Sequence, residues 1–176
     1  VMAAIIAACG EETLVSRGDP FGTLLRSIVG QPISVTAADS IWARFAVALP
    51  VLTPDAVMQT DAEALRCCGL SARKVEYMGD LARHFVEGRI QPGRWAAMSD
   101  AEIIAELTAV RGIGLWTAEM FLIFNQLRAD VWPLDDIGLQ KAVARHYLSG
   151  ERPTRRQLAD FGERWRLLQR RERAVL

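Results

Sequence analysis

Two adjacent carboxylates, Asp135 and Asp136, follow Pro133-Leu134 and precede an apolar helical pattern. A carboxylate so placed can stabilise a developing positive charge or take a proton from water. Upstream, Val110-Arg111-Gly112-Ile113-Gly114 forms a glycine-bearing turn between two more helical patterns. Gly112 and Gly114 permit positive φ and a close backbone approach. Main-chain N–H groups at a turn that opens a helix make an anion site. On a nucleic acid that anion is a backbone phosphate, a contact that fixes register without reading sequence. The same turn would serve equally as a plain corner between helices. A phosphate grip and a carboxylate on one stretch, 107–143, are the parts needed to act on a nucleotide inside DNA.

The elements that must position these parts read as helices throughout. Ser99 and Glu102 form a capping box, so a helix starts near Asp100 with Ile103, Ile104 and Leu107 on its apolar side. A second apolar helix runs from Leu115 to Phe124. Asp19 caps and Pro20 opens an earlier helix whose buried face is Phe21, Leu24, Leu25 and Ile28. Gly30-Gln31-Pro32-Ile33 breaks it, and Ser34 caps the next, with Ile41, Trp42, Phe45 and Leu49 inward. Thr53-Pro54 and Asp61 start two short helices, and Gly69 ends the second. Ser71 caps a longer one carrying Val75, Met78, Leu81, Ala82 and Phe85. Arg73 and Lys74 at its start either touch phosphate or lie on a solvated face. Gln91-Pro92-Gly93 is expected as a loop. Residues 131–134 form an extended apolar connector before a helix with Leu139, Val143 and Tyr147 in one stripe. Either acid of the pair can cap that helix, and periodicity does not choose between them. Thr154 with Gln157 is a further capping box, opening a last helix with Leu158, Phe161 and Trp165. Residues 2–9 are apolar but too few to span a bilayer, and no basic segment precedes them; they read as a core helix. No strand alternation, repeat or low-complexity linker is present. The expected fold is all-α, one domain over 1–176.

Several motifs, in order and at the right spacing, resemble the helix-hairpin-helix DNA glycosylase superfamily, and within it the 3-methyladenine DNA glycosylase II branch. GIGLWTA followed by PLDD is similar to that family's hairpin and catalytic aspartate, with the hairpin motif at about 100–124. Gly18-Asp19-Pro20-Phe21, then Ile28-Val29-Gly30-Gln31 with Ile33-Ser34-Val35, resembles its first helix and loop. Gly69-Leu70-Ser71-Ala72-Arg73-Lys74 resembles its mid-domain turn. The resemblance covers most of the chain. It implies a two-lobed helical glycosylase fold with a cleft between the lobes.

Function and site residues then follow as what the resemblance implies. The reaction is hydrolysis of the N-glycosidic bond of alkylated purines in base excision repair. Asp136, the second acid of the pair, is the catalytic residue, and Asp135 caps the helix or steadies its neighbour. Arg111, Gly112, Ile113, Gly114 and Thr117 hold DNA phosphate. Gln31 lies at the damaged base or its vacated space, with Pro32 or Ile33 as an apolar wedge that unstacks a base step; the family more often carries another polar or aliphatic residue at Pro32. Hydrolysis passes through a cation-like sugar, which a carboxylate beside C1′ stabilises. An alkylated base such as 3-methyladenine is itself cationic and favours aromatic walls, of which Trp116, with Met120 one turn on, is the leading candidate; Trp42 and Trp132 are weaker ones. The base is first flipped from the stack, at a cost that damage lowers. Bifunctional members carry a lysine at the Trp116 position; no lysine stands between Gly112 and Asp136, so a monofunctional enzyme leaving an intact abasic site is expected.

Composition narrows the partners. Lys+Arg and Asp+Glu balance at 21 each, so no global basic field draws DNA in, and local patches must supply the phosphate contacts. Residues 151–173 hold eight arginines against four acids, which either follow a DNA backbone or form a frayed tail. There the chain also departs from the family, which usually continues with a W-x-P-x-R-S helix ending in aromatics. Cys9, Cys67 and Cys68 make no zinc pattern and not the four-cysteine iron–sulfur signature of the endonuclease III branch; they read as incidental thiols of a reducing compartment. His84 and His146 lack metal-ligand spacing. The expectation is no cofactor and no metal site, with a monovalent cation at the hairpin as the one ion allowed. The expected partner is double-stranded DNA containing alkylated bases, with no membrane, a monomeric state and a cytoplasmic, nucleoid-associated setting. Two other readings stay open: a catalytically impaired helix-hairpin-helix DNA-binding protein, and a helical interaction domain without DNA affinity.

Overall fold

A computed structural model describes residues 4, 7, 8, 10 and 13–173, with the side chains of 165 and 167–173 undescribed. The stretch 2–9, expected as a core helix, lies largely outside the described residues; Ala4, Ala7 and Ala8 are helical and exposed. Among the described residues the fold is all-α, without strands. In chain order the helices are α1 (Pro20–Gly30), α2 (Val35–Ala48), α3 (Pro54–Gln59), α4 (Ala62–Cys67), α5 (Ala72–Val86), a 3-10 turn (Pro92–Ala97), α6 (Asp100–Thr108), α7 (Leu115–Phe124), α8 (Ile137–Tyr147) and α9 (Arg155–Arg173). No helix of the described residues is long and apolar enough to cross a membrane. The chain divides into two compact units, Ser16–Leu127 and the remainder, Val1–Val15 with Arg128–Leu176.

Helix starts are set by short-range chemistry. The side chains of Asp19, Ser34, Thr53, Ser71 and Ser99 each accept an N–H of the first turn of the helix they precede. Ser99 and Glu102 close the expected capping box, and Ser99's two hydrogen bonds hold the Glu102 carboxyl below the usual carboxylate pKa. Thr154 and Gln157 do the same for α9. Each cap contributes about 1 kcal/mol. Burying one large apolar side chain contributes roughly 1.5–3 kcal/mol, so caps decide where helices begin and burial decides that they persist.

The core of the Ser16–Leu127 unit is built on α5, which packs against α1, α3 and α4. Leu24, Leu25 and Ile28 of α1, Phe45 of α2, Met78 and Leu81 of α5, and Ile103 and Leu107 of α6 are fully enclosed. One expectation fails here: residues 91–93 open a 3-10 helix instead of a plain loop. Pro92 presets its first turn, the Gln91 N–H donates to Glu106 Oε1 (3.0 Å), and Trp95 is 1% exposed. Trp95 donates to Glu106 Oε2 (2.8 Å) and meets Phe121 edge to face at 5.2 Å. In the other unit, Gly162 of α9 lets the Trp132 indole approach so closely that a Cβ there would lie 2.5 Å from the ring. Trp132 donates to the Leu158 carbonyl (2.8 Å), and Tyr147 of α8 meets Phe161 of α9 at 5.2 Å. Trp132 is thus packed against α9.

Candidate active site

The turn 110–114 is built by two short main-chain bonds, Val110 N–H to Leu107 O and Ile113 N–H to Val110 O, each 3.1 Å. Gly112 takes φ +86°, a conformation that costs other residues strain. A Cβ at Gly112 would also fall 2.2 Å from the Tyr77 ring, so glycine is required there twice over. Gly114 differs from expectation: its φ is −91°, extended backbone open to any residue. What Gly114 supplies is a helix start without a side-chain cap. The first N–H groups of α7 therefore meet no capping side chain from that residue, as an anion site requires. Arg111 is exposed, and its guanidinium lies 3.5 Å from Glu76. Ile113 is buried, so its contribution to a ligand would be its main chain.

Beside the hairpin, in the same unit, lies a cleft of about 1090 Å³. Gln31, Ile33, Trp116, Thr117 and Met120 all line it. Five residues expected at the site from separate parts of the sequence thus share one cavity. Trp116 is 47% exposed, leaving an indole surface for a guest. Thr117, expected among the phosphate contacts, is buried and lines the cleft. Pro32 sits exposed in the 30–33 turn and does not line the cavity. Gln31 is not simply a free probe: its Nε2 donates to the Gly112 carbonyl at 2.8 Å.

Sequence reasoning missed part of the wall. Arg17, Arg26, Asp39 and Phe124 also line the cleft. The Arg17 guanidinium lies 4.5 Å over the Phe124 ring. Arg26 pairs with Asp39 at 2.7 Å and lies 5.6 Å over Trp42. Trp42, the weaker wall candidate, is half-buried, lines the cleft and leans on Phe45 at 5.4 Å. Its position on the apolar stripe of α2 signalled core, and nothing in the spacing revealed that one edge faces the cavity.

The acids belong to the other unit. Asp136 is the N-cap of α8, and its Oδ1 accepts the Leu139 N–H at 2.6 Å. The cap role expected of Asp135 therefore falls to Asp136. The reason is geometric: Asp136 N donates to Pro133 O (3.1 Å), closing a turn that leaves Asp136 as the last non-helical residue. Gly138 keeps space by this carboxylate, since a Cβ there would stand 3.0 Å from Oδ1. A helix N-terminus also favours negative charge. Asp135 is exposed and pairs with Arg155. No group of three or more acids, histidines or cysteines suited to a metal occurs among the described residues. Cys67 is exposed and Cys68 buried, both free. His84 is buried with Nδ1 2.9 Å from the Asp80 carbonyl, a structural position.

Residues 25–167 match the HhH-GPD superfamily base excision DNA repair protein family. The chain is 31% identical over 153 residues to DNA-3-methyladenine glycosylase 1 of Schizosaccharomyces pombe, covering 85% of this chain and 67% of that protein. Among solved structures it is similar to the DNA-3-methyladenine glycosidase of Bacillus halodurans, with TM-score 0.86, 34% identity, and coverage of 93% of this chain and 76% of that one. It is likewise similar to the S. pombe 3-methyladenine DNA glycosylase in complex with abasic DNA, with TM-score 0.79, 29% identity, and coverage of 92% and 82%. The chain spans between 53% and 67% of the length of the first curated relatives it matches.

Proposed function

The chain belongs to the HhH-GPD superfamily of base excision DNA repair proteins, and from that premise we propose that it is a monofunctional glycosylase of the 3-methyladenine II type, releasing alkylated purines from double-stranded DNA. The observation that carries the reading is the convergence of Gln31, Ile33, Trp116 and Met120 on one cleft beside an uncapped hairpin–helix turn. The names of the relatives, and the abasic DNA bound by one of them, point the same way.

In this reading the hairpin N–H groups hold a backbone phosphate. The 30–33 turn enters the duplex, and the damaged nucleotide swings out. Its cationic base rests on Trp116, with Met120 completing that wall. The glycosidic bond breaks with its electron pair leaving on the base, so a cationic alkylated purine departs neutral. Asp136 stabilises the positive charge at C1′ and orients the water that adds there, taking up or passing on the water's proton. No lysine between Gly112 and Asp136 is available to attack C1′, so the strand stays intact. A monovalent cation at the hairpin would be held by main-chain carbonyls, of which that of Gly112 already accepts Gln31. The protein works as a monomer on duplex DNA.

The test is release of free bases from methylated duplex DNA, with strand integrity read before and after alkali. Free methylpurines, with nicks only after alkali, are expected. Nicks without alkali would contradict the monofunctional assignment. Salt-sensitive DNA binding with no base release would leave the chain a DNA-binding module.

A further inference from the structure

One face of α5 carries Lys74, Tyr77 and Asp80 at three-residue spacing. Each of them reaches another segment, the end of α1 or the hairpin turn. Lys74 Nζ donates to the Val29 carbonyl at 2.7 Å. That carbonyl is among the last of α1, which have no partner within the helix and attract positive charge. Tyr77 packs its ring against Gly112. Asp80, only 9% exposed, accepts the Arg111 N–H at 2.9 Å through Oδ2 and pairs with Arg83 at 3.2 Å through Oδ1. Gln31 closes the circuit by donating to the Gly112 carbonyl. The path runs from the end of α1 through Lys74 to α5, through Asp80 to the hairpin, and through Gln31 back to the loop after α1. Burial partly desolvates the Lys74 ammonium, which lowers its pKa.

We propose that α5 is a brace joining the 30–33 turn to the hairpin, with Lys74 and Asp80 as positioning residues, so that a phosphate held at the hairpin sets how far the turn enters the duplex. This rests on the glycosylase reading and adds the coupling between its two DNA contacts. Neither side chain touches the base. Their effect falls on the step in which the base leaves the stack, so it is largest where that step costs most.

The experiment compares single-turnover base release from one alkylated lesion in two duplexes, one with the lesion paired and one with it mispaired, where unstacking is cheaper. Lys74→Met keeps the aliphatic stem and removes the ammonium. It is expected to slow release from the paired site by about tenfold, the loss of one charge-assisted hydrogen bond, and from the mispaired site by no more than about twofold. Lys74→Arg, which still reaches the carbonyl, should recover most of the paired rate. Asp80→Asn combined with Lys74→Met should slow the paired site little beyond Lys74→Met alone, because the circuit is already open. Equal slowing at both sites, or slowing at neither, would overturn the brace. A wild type that releases no base from either duplex would overturn the glycosylase reading itself, and with it this one, before any variant is compared.

Discussion

In the Ser16–Leu127 unit the candidate site is tied together across the chain. Gln31 bonds a carbonyl 81 positions away, Lys74 one 45 away, and Asp80 an N–H 31 away. In the other unit Asp136 bonds an N–H three positions on, and Asp135 pairs with Arg155 on the exposed surface. The hairpin's shape therefore depends on the whole unit being folded, whereas the Asp136 bond to Leu139 is local to one helix start. Substitutions at the hairpin should move stability and DNA affinity together. Asparagine at Asp136 should separate chemistry from both.

The largest expected effect on stability is at Gly112. Gly112→Ala forces an alanine to φ +86° against the Tyr77 ring. The strain, about 1–3 kcal/mol, should lower the melting temperature, and duplex affinity should fall with it by about tenfold. Adding Tyr77→Ala relieves the clash but not the φ strain, so only part of the affinity should return; full recovery in a titration would show that the backbone conformation is not needed. Next is Asp136→Ala measured against Asp136→Asn. Asparagine caps a helix as well as aspartate does, so alanine alone should lose about 1 kcal/mol in denaturant unfolding. Equal stability of the two would mean that the cap is not what holds Asp136. Arg111→Ala is smaller: its exposed guanidinium should act as one phosphate contact, lowering the slope of log affinity against log salt by about one. An unchanged slope would place the phosphate elsewhere. Smallest is Asp135→Asn, which removes an exposed pair contributing about 0–1 kcal/mol; base release should stay within about threefold, and a collapse in the single-turnover rate would make Asp135 the reacting acid.

The same division explains what the sequence reveals. Caps such as Asp19, Ser71 and Ser99 are legible because donor and acceptor lie within three residues. The apolar faces of α1 and α5 are legible because helical periodicity writes them locally. The two hairpin glycines look alike in sequence, yet only Gly112 takes positive φ, and only on Gly112 does the Tyr77 ring pack from a distant helix. Lys74 reads as a phosphate contact or a solvated lysine, and its bond to Val29 is set by how α5 lies on α1. Asp80 carried one usable signal: an acid among Met78, Leu81 and Ala82 on a buried face must find a partner. The 3-10 turn at 92–97 stayed hidden because Glu106 stabilises it from outside the segment, by accepting the Gln91 N–H and the Trp95 indole.

If grip and chemistry reside in different side chains, Asp136→Asn should separate them. The variant keeps the cap and removes the charge. Binding to duplex DNA should stay within about threefold of the wild type while single-turnover release of alkylated purines falls by at least about a hundredfold. Release at near wild-type rate, or release and binding lost in parallel, would contradict the account.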